Sequence, residues 1–527
     1  MAEYSDTQGS EDKELQPFLR RYKRACERRS IQDSLIDECY EYALPLRERP
    51  YASKDDGKPD LDRLFDSTAP AALQDLASQM LDDVWPVDAK PFELTAGPEI
   101  PDNDRDELNR LLSPISEDII TTINNSNFRN EAHESLMDWA IGTGALLADE
   151  GDALEPVRFR ASPLAENYFD TGPHGDIDAL FRPKKIKAGN LKTVFQKGTF
   201  SPDVERCMRE EPDKELKVVE GAMRDWSEKG SETWVSCAFF PKENEGGYSG
   251  KIQRTVAKGD GSKPFIDFSF TRVPGEIIGR GPIMTALPDI KTLNLIKQFV
   301  LENADLAISG IWQAEDDGVL NVDTVRIEPR TIIPKAPTSK GLERIDMGTS
   351  GFDVSALVIN ELQGQIKHIL FANDLGPTDK TPMSATEVME RAAIRARRFA
   401  GPYNRVLTEL LFPVIRRTAY IRQKQGAFKL PKIDGRTIRI RPLAPITRAQ
   451  AQDEILRHVR LMEILNGTIG PQQAAVIVNG EEFARHLAGK MGAEPKTIRT
   501  RPEAQKLQQA IAAMNALAAS QGNPPTG

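Results

Sequence analysis

The segment that most constrains the fold is GEIIGRGPIMTALPDIKTLN, residues 275–294, where three glycines and two prolines lead directly into an apolar helical pattern. Apolar residues then recur at spacings of three and four over 289–308, which predicts a helix. A second helix is predicted over 352–371, after short strands and turns in the proline-bounded segment 310–350. The two helices therefore form a hairpin with a compact insertion between them.

The three glycines of this segment allow two interpretations. A glycine-rich loop that opens a helix can present backbone N–H groups to an anion. However, the spacing of Gly275, Gly279 and Gly281 fits neither G-x-G-x-x-G nor G-x-x-x-x-G-K-[ST], and Pro282 has no N–H to offer. The sequence favours a structural corner that leads into a helix over a phosphate cradle.

Length and charge restrict the class of protein. A chain of 527 residues predicts about two to four domains. The formal net charge of -10, from 69 Lys and Arg against 79 Asp and Glu, would repel nucleic acid over most of the surface, so any DNA contact must be local. The four cysteines have no C-x-x-C spacing, which is typical of a reducing compartment. We find no signal-peptide pattern and no run of about 18 apolar residues, and expect a soluble protein made inside the cell.

The first half of the chain reads as helices followed by strands. Helices are predicted over 11–45 (one helix or a pair), 65–86, 104–124 and 128–148. The first carries an apolar stripe that includes Phe18, Ile31 and Leu35, and the second has Asp66, Ser67 and Thr68 as candidate caps. Residues 155–275 alternate in short apolar runs bounded by Gly, Pro and Asp, which indicates a mainly β region. The fold class is therefore α+β.

The second half is again mainly helical. Ser384 and Glu387 form an S-x-x-E capping box, which begins a long helix to about Gln425 with a bend at Gly401 and Pro402. A short β-like link, TIRIRPLAP, follows. Residues 447–520 have a helical composition, and the last seven residues, QGNPPTG, are expected to be disordered.

Catalytic and metal-binding signatures are not found. His133 and Glu134 begin H-E-x-x-H, but Met137 occupies the position of the second histidine, so the zinc motif fails. The sequence has no G-x-S-x-G, no calcium-binding loop and no Walker lysine. We therefore predict no catalytic residue, no metal site and no cofactor.

Two groups of basic residues have more than one interpretation. Arg391, Arg395, Arg398 and Arg405 lie near one helix face. They could follow a phosphate backbone, but Glu387 four residues before Arg391 favours a solvated or subunit-facing stripe. Lys291, Lys297 and Lys367 lie on the polar faces of the predicted hairpin. An ordinary core hairpin with charged outer faces would show the same spacing.

Four stretches are informative when they are taken in order: FDSTAPAALQDLASQMLDDVWP at 65–86, DWAIGTGALLADEG at 138–151, GRGPIMTALPDIKTLN at 279–294 and MSATEVMERAAIRARRFAGPYNRVLTELLFPVIRRTAYI at 383–421. Together they resemble the portal, or head-to-tail connector, proteins of podovirus-type tailed double-stranded DNA bacteriophages. The resemblance covers most of the chain. Ile278 departs from it, since relatives often carry an aromatic residue before Gly-Arg-Gly.

The resemblance implies a ring, usually of twelve subunits, at one capsid vertex, and it implies a division of the chain into parts. These are a mixed α/β wing (1–280), stem helix 1 (281–309), a small α/β clip (310–350), stem helix 2 (351–371), a tunnel loop (372–383), the wing's long kinked helix and link (384–440) and a helical crown with a disordered tail (441–527). In this arrangement the Gly275–Pro282 corner redirects the chain from wing to stem.

The same resemblance implies partners and a location. The ring would contact terminase, the major capsid protein, scaffold or internal core proteins and the head-tail adaptor, and double-stranded DNA would pass through its channel. The protein would be made in the host cytoplasm and would reside at the portal vertex of the virion, with no membrane contact.

We also expect particular residues to meet the DNA. Lys291, Lys297 and Lys367 would supply sparse basic rings in the channel, since many phosphate contacts would hold the DNA and stall it. Lys380 would touch DNA from the tunnel loop, whose shape Asn373, Asp374, Gly376 and Pro377 would set. The alternatives are an intracellular nucleic-acid-processing enzyme on a helical scaffold, which would need a cluster of metal ligands, or another virion ring such as a tail adaptor.

Overall fold

The structure is a computed structural model with a mixed helix and sheet architecture. It describes residues 3–47, 64–87, 89–227, 232–241, 250–309, 311–313, 343–345, 351–372, 400–430, 433–443, 445–470, 473, 476–491 and short stretches between 503 and 514. The α+β class predicted from the sequence is confirmed.

Helices begin and end the described part of the chain, and further helices lie between the strands. They are α1 Glu3–Arg29, α2 Asp33–Ala43, α3 Thr68–Val84, α4 Asp102–Asn124, α5 Phe128–Ile141, α6 Leu191–Val194, α7 Pro202–Glu210, α8 Pro282–Ser309, α9 Gly351–Ile369, α10 Phe412–Lys424, α11 Pro445–Ile469 and α12 Gly480–Met491. Residues 400–406 are also helical, and a π-helical turn, Leu407–Leu411, joins them to α10.

The described strands form four antiparallel sheets. They are β1 Phe92–Ala96, β2 Thr143–Glu150, β3 Val157–Ser162, β4 Tyr168–Thr171, β5 Ile177–Lys187, β6 Glu215–Arg224, β7 Thr233–Phe240, β8 Gly250–Lys258, β9 Phe265–Ser269, β10 Ile311–Gln313, β11 Glu343–Ile345 and β12 Ile438–Pro442. The largest sheet has the order β4-β5-β6-β7-β8, and the second has the order β3-β2-β9. The remaining pairs are β1-β12 and β10-β11.

The amino-terminal helix covers one face of the five-stranded sheet. Phe18 of α1 is buried, and its ring meets Phe181 of β5 and Phe239 of β7 edge-on at 6.5 and 6.3 Å between centroids. The prediction that Ile31 and Leu35 continue this stripe is wrong, because both are exposed. A turn at residues 30–32 separates α1 from α2 and changes the face that α2 buries.

The predicted helix over 128–148 is correct only to Ile141. Residues 143–150 form β2 instead, which hydrogen-bonds to β3 on one side and β9 on the other. Gly144 permits this strand to pass close to α5, since a Cβ there would lie 2.5 Å from the Ser135 carbonyl oxygen. Tertiary strand pairing thus overrides the helical spacing of this segment.

The largest hydrophobic core joins the helices to the three-stranded sheet. Its buried side chains come from α2, α3, α5, β2, β9, the start of α8 and the helical segment 400–424. The predicted β-like link at 437–445 is a strand, β12, and its partner is β1, more than three hundred residues earlier. The chain therefore returns at β12 to the strand that lies between α3 and α4.

The corner before α8 is packed against the end of α5. The Gly279 N–H donates to Thr143 Oγ1 at 2.8 Å, and the Gly281 N–H donates to the Ile141 carbonyl at the same distance. Gly275 has φ +90°, a conformation that favours glycine, and Pro282 is the first residue of α8. The N–H groups of Gly279 and Gly281 therefore donate within the chain and are not available to an anion.

We predict that Gly281→Ala destabilises the subunit, because its Cβ would lie 2.1 Å from the Ala140 carbonyl oxygen, a backbone atom. The expected cost is about 1–3 kcal/mol or more. The matched control is Gly364→Ala in α9, where no described atom beyond the neighbouring helix backbone lies within 4 Å of the added Cβ and the gain is about 0.5–1 kcal/mol. The denaturation midpoint of each variant checks the prediction, and equal midpoints would contradict it.

Candidate functional site

The hairpin of α8 and α9 is the most distinctive feature of the molecule. At about 1.5 Å per residue its helices are about 42 and 28 Å long. The first part of α8 is buried against α2, α3 and α5 through Ile283, Ala286, Leu287, Ile290 and Leu293. At the carboxyl end of α9, Ile366 and the following residue Leu370 are buried in the same core. The base of the hairpin is thus fixed in the body of the protein.

Farther from the body, apolar side chains of the hairpin are exposed. Leu295, Phe299 and Leu301 of α8 and Leu357 of α9 are 49%, 50%, 56% and 68% exposed. Several large apolar side chains exposed on one element are a feature of contact sites for another protein surface. The outer half of the hairpin therefore carries apolar side chains that the described part of this subunit leaves exposed.

The base of the hairpin is held by a buried polar clamp, which we define as Asp66, Asn294, Lys297 and Gln363. Asn294 Oδ1 accepts from the backbone N–H groups of Phe65 and Asp66 at 2.8 and 2.9 Å. Asp66 Oδ2 accepts from Gln363 Nε2 of α9 at 2.8 Å and pairs with Lys297 Nζ of α8. One carboxylate therefore joins both helices of the hairpin to the start of α3.

Asp66 also completes the start of α3. Its Oδ1 accepts from the Thr68 N–H at 2.7 Å, so among the three predicted cap residues Asp66 is the one whose side chain binds a helix N–H. Burial acts to raise the pKa of Asp66, but hydrogen bonds from Lys297, Thr68 and Gln363 outweigh it and lower the pKa below its usual value. The clamp therefore holds a charged Asp66 at neutral pH.

The three hairpin lysines differ in their surroundings. Lys291 Nζ lies 2.6 Å from Glu38 Oε2 of α2, and Lys297 pairs with Asp66. Lys367 of α9 is exposed, and it has no ion pair within the described residues. Sequence spacing placed these lysines together, but two of the three have partners in their own chain.

Acidic residues outnumber the lysines on the hairpin. Against the three lysines, α8 and α9 carry five carboxylates: Asp289, Glu302, Asp305, Asp353 and Glu361. The two helices therefore have a net charge of -2, from three minus five. A surface with this balance repels a polyanion rather than holding it.

The π-helical turn before α10 contacts the end of β9. Within that turn, Glu409 Oε2 accepts from the Ser269 N–H at the end of β9, at 2.8 Å. Burial raises the pKa of Glu409. Arg405, a residue of the predicted basic stripe, lies 3.8 Å from Glu409 Oε1. Arg405 thus points toward a carboxylate of its own helix.

The end of α9 has a defined exit. Phe371 has φ +59°, the Phe371 N–H donates to the His368 carbonyl, and the Ala372 N–H donates to the Lys367 carbonyl at 2.9 Å. These bonds form a Schellman motif in which a phenylalanine takes the place usually given to glycine. Its ring lies 6.5 Å from that of Phe270, so packing holds the unfavourable backbone conformation.

Several predicted site residues lie outside the described residues. They are Asn373, Asp374, Gly376, Pro377, Lys380, Ser384, Glu387, Arg391, Arg395 and Arg398. Of the segment 310–350, the structure describes only the antiparallel pair β10-β11. The proposed roles of these residues remain predictions.

The described residues lack two features of other classes of protein. No group of three or more His, Cys, Asp or Glu side chains in these residues could hold a metal ion. None of the described helices combines the length and apolarity that a membrane crossing requires.

Comparison with known proteins identifies a family. The profile of the family described as "Bacteriophage head to tail connecting protein" matches residues 15–498. No curated protein matches the chain. Among solved structures, the virion of a native gene transfer agent particle has a similar chain at 11% identity, with a TM-score of 0.39 and coverage of 84% of this chain and 92% of that one. The neck of the native particle, computed with C12 symmetry, has one at 12% identity, with a TM-score of 0.38 and coverage of 84% and 98%.

We predict that Asp66→Asn loosens the hairpin base, because Lys297 loses its partner and an amide cannot accept from all three donors. The expected cost is about 1–3 kcal/mol, since Lys297 is partly exposed and can reach water. Hydrogen exchange should quicken in residues 64–67 and at the facing turns of α8 and α9. The control is Glu361→Gln on the exposed face of α9, with an expected change within about 0.5 kcal/mol. Unchanged exchange in Asp66→Asn would contradict the clamp.

The clamp also predicts a pH dependence. The pKa of Asp66 is lower in the folded state than in the unfolded state. The charged Asp66 therefore stabilises the fold at a pH above the ordinary carboxyl pKa, and this stabilisation is lost as the pH falls through the pKa of the folded state. Between pH 7 and pH 3, the wild-type protein should therefore lose more stability than Asp66→Asn. Thermal unfolding at each pH measures this difference, and parallel pH profiles would refute it.

Proposed function

The chain belongs to the family of bacteriophage head-to-tail connecting proteins, and from this premise we propose that it forms the portal ring at one vertex of a capsid. In this proposal the genome is packaged and later ejected through the ring, which resides in the virion and has a structural rather than an enzymatic role. The ring contains twelve subunits, the number that the sequence resemblance implies.

The proposal rests on the difference between the buried base and the exposed outer half of the hairpin. Its base is clamped by Asp66 and Asn294, while its outer half exposes Phe299, Leu301 and Leu357. A closed ring gives every subunit two neighbours, and head-to-tail contacts of this kind bury such side chains without leaving a free edge. The hairpins then stand side by side around a central channel as its stem.

Charge supports the use of this channel by DNA. A net charge of -2 on each hairpin repels the phosphate backbone and limits the number of contacts that would retain it. Lys291 and Lys297 have carboxylate partners in the chain, so we assign the sparse basic ring of the stem mainly to Lys367. This assignment refines the expectation that Lys291, Lys297 and Lys367 supply sparse basic rings.

The remaining parts follow the family arrangement. Residues 310–350 form the clip, which contacts terminase during packaging and the head-tail adaptor afterwards. The Schellman motif at Phe371 sets where the chain leaves the stem, and residues 372–383 form the tunnel loop, with Lys380 near the DNA. The wing, and the crown from residue 441, face the major capsid protein and the scaffold or internal core proteins.

An enzyme on a helical scaffold and a different virion ring are the rival functions. Nuclease and ATPase assays on the purified protein distinguish the first, since both should be blank for a portal. The second, a tail adaptor, would not bind terminase. Pull-down of terminase by the full chain, and its loss when residues 314–342 are replaced by a short linker, would support the portal.

We predict that the double variant Phe299→Asp, Leu357→Asp prevents ring assembly, because carboxylates would replace apolar contacts between hairpins. Mass photometry should show a species of about 59 kDa, whereas twelve subunits of 58.6 kDa give about 703 kDa. The control is Leu154→Asp, at a residue that is 91% exposed in the loop between β2 and β3. If both variants formed rings equally well, the hairpin would not be part of the interface between subunits.

We further predict that Lys367→Ala reduces the salt dependence of DNA passage or binding more than Lys291→Ala does. A lysine that contacts a DNA phosphate releases a counterion, and the Lys367→Ala ring would release fewer of them. DNA retention in assembled particles, measured across a range of salt concentrations, provides the test. Circular dichroism and ring assembly should be unchanged in both variants. Equal salt dependence in the wild type and Lys367→Ala would contradict the assignment.

A further inference from the structure

A second polar site lies far from the hairpin in the chain, between the two larger sheets. A cleft of about 280 Å³ separates one face of the five-stranded sheet from β2, β3 and β9. The strand register places Arg182 opposite Glu220, Glu220 opposite Ala238, and Ala238 opposite Gln253 on this face. The small side chains of Ala222, Ser236 and Ala238 leave room at its centre.

Arg182 is the unusual residue of this cleft. It is 4% exposed, yet its Nε and Nη1 atoms, both buried, donate no hydrogen bond to any described group. Its Nη2 lies 3.9 Å from Glu166 Oε2, too far for a hydrogen bond. Buried polar groups are almost always hydrogen-bonded. Two N–H groups of the Arg182 guanidinium are therefore available to an acceptor that is not among the described residues.

The other wall supplies a second guanidinium. Arg160 of β3 lines the cleft, and its contact with Asp149 is long, at 3.4 Å, between half-exposed side chains. Such an exposed pair contributes little to stability, so Arg160 can turn to another anion at small cost. Glu220 lies 2.8 Å from Lys184 Nζ through its Oε2. Its charge also attracts Arg182, but it forms no hydrogen bond with the buried Nε or Nη1 of Arg182.

Burial lowers the pKa of Arg182 and the positive charge of Arg160 lowers it further, although the carboxylates of Glu220, Glu166 and Asp149 act in the opposite direction. The two guanidinium groups repel each other, and an anion that accepts hydrogen bonds from both would offset that repulsion. Guanidinium groups match the oxygens of phosphate in geometry and remain charged when buried. Ser236 and Thr255, which also line the cleft, add hydroxyl groups.

We propose that this cleft binds a small oxyanion of the phosphate class, either free phosphate or a phosphate monoester, between Arg182 and Arg160. The cleft is slightly below the usual size range of drug-sized ligand pockets, about 300–1,000 Å³, so it suits a small ligand rather than a polymer. The proposal does not depend on ring formation or on the passage of DNA.

The test is thermal unfolding of the full-length protein in increasing inorganic phosphate, with chloride balancing the ionic strength. The wild type should show a saturable rise in midpoint, and Arg182→Met should show none. The matched control is Arg254→Met. Arg254 lies between Gln253 and Thr255 on β8, so its side chain is on the opposite face of the sheet, 3.9 Å from Glu14. The Arg254→Met variant removes one positive charge from the same sheet and should leave the phosphate-dependent rise in the unfolding midpoint intact.

A second variant keeps the proposal testable if Arg182→Met does not fold. Arg160→Met changes a half-exposed side chain, and calorimetry should show its phosphate affinity reduced about tenfold, the equivalent of about 1.4 kcal/mol. Repeating the titration with glycerol phosphate distinguishes a monoester site, where it binds more tightly, from a site for free phosphate. A midpoint that rises equally in all variants would be a general salt effect. That result, or no saturable binding by the wild type, would overturn the proposal.

Discussion

The position of the hairpin on the body depends on the carboxylate of Asp66, because this group connects α3 to α8 and α9. It accepts from Thr68 at the start of α3 and from Gln363 in α9, and it pairs with Lys297 in α8. A buried carboxylate is costly unless donors surround it. The same donors that keep Asp66 charged therefore fix the direction in which the hairpin leaves the body, and the exposed outer half can meet a neighbour in a defined orientation.

Much of this fold could be predicted from the sequence, because local patterns specify local structure. The spacing of apolar residues identified the helices of the hairpin, and the short TIRIRPLAP segment is indeed a strand. The failure at 143–150 has a tertiary cause: pairing with β3 and β9 determines the structure of a segment whose residues also suit a helix. Likewise, the separation of Ile31 from the apolar stripe depends on a turn that carries no glycine or proline.

The site was less predictable, because its contacts join residues far apart in sequence. Asp66 was expected only as a helix cap, and its partners Asn294, Lys297 and Gln363 follow more than two hundred residues later. Spacing grouped Lys291, Lys297 and Lys367, but it could not show that Glu38 and Asp66 pair with two of them. Arg182 offered no sequence signal, since its idle donors are evident only once the strands are in register.

In the proposed ring, α8 and α9 line the channel. Electron cryomicroscopy of the purified full-length protein would show their position. We expect closed rings of about twelve subunits in which the hairpins surround a central hole, with Lys367 toward the lumen and Phe299 between neighbouring subunits. A stable monomer across salt and protein concentrations, or a ring with the hairpins on its outer surface, would contradict it.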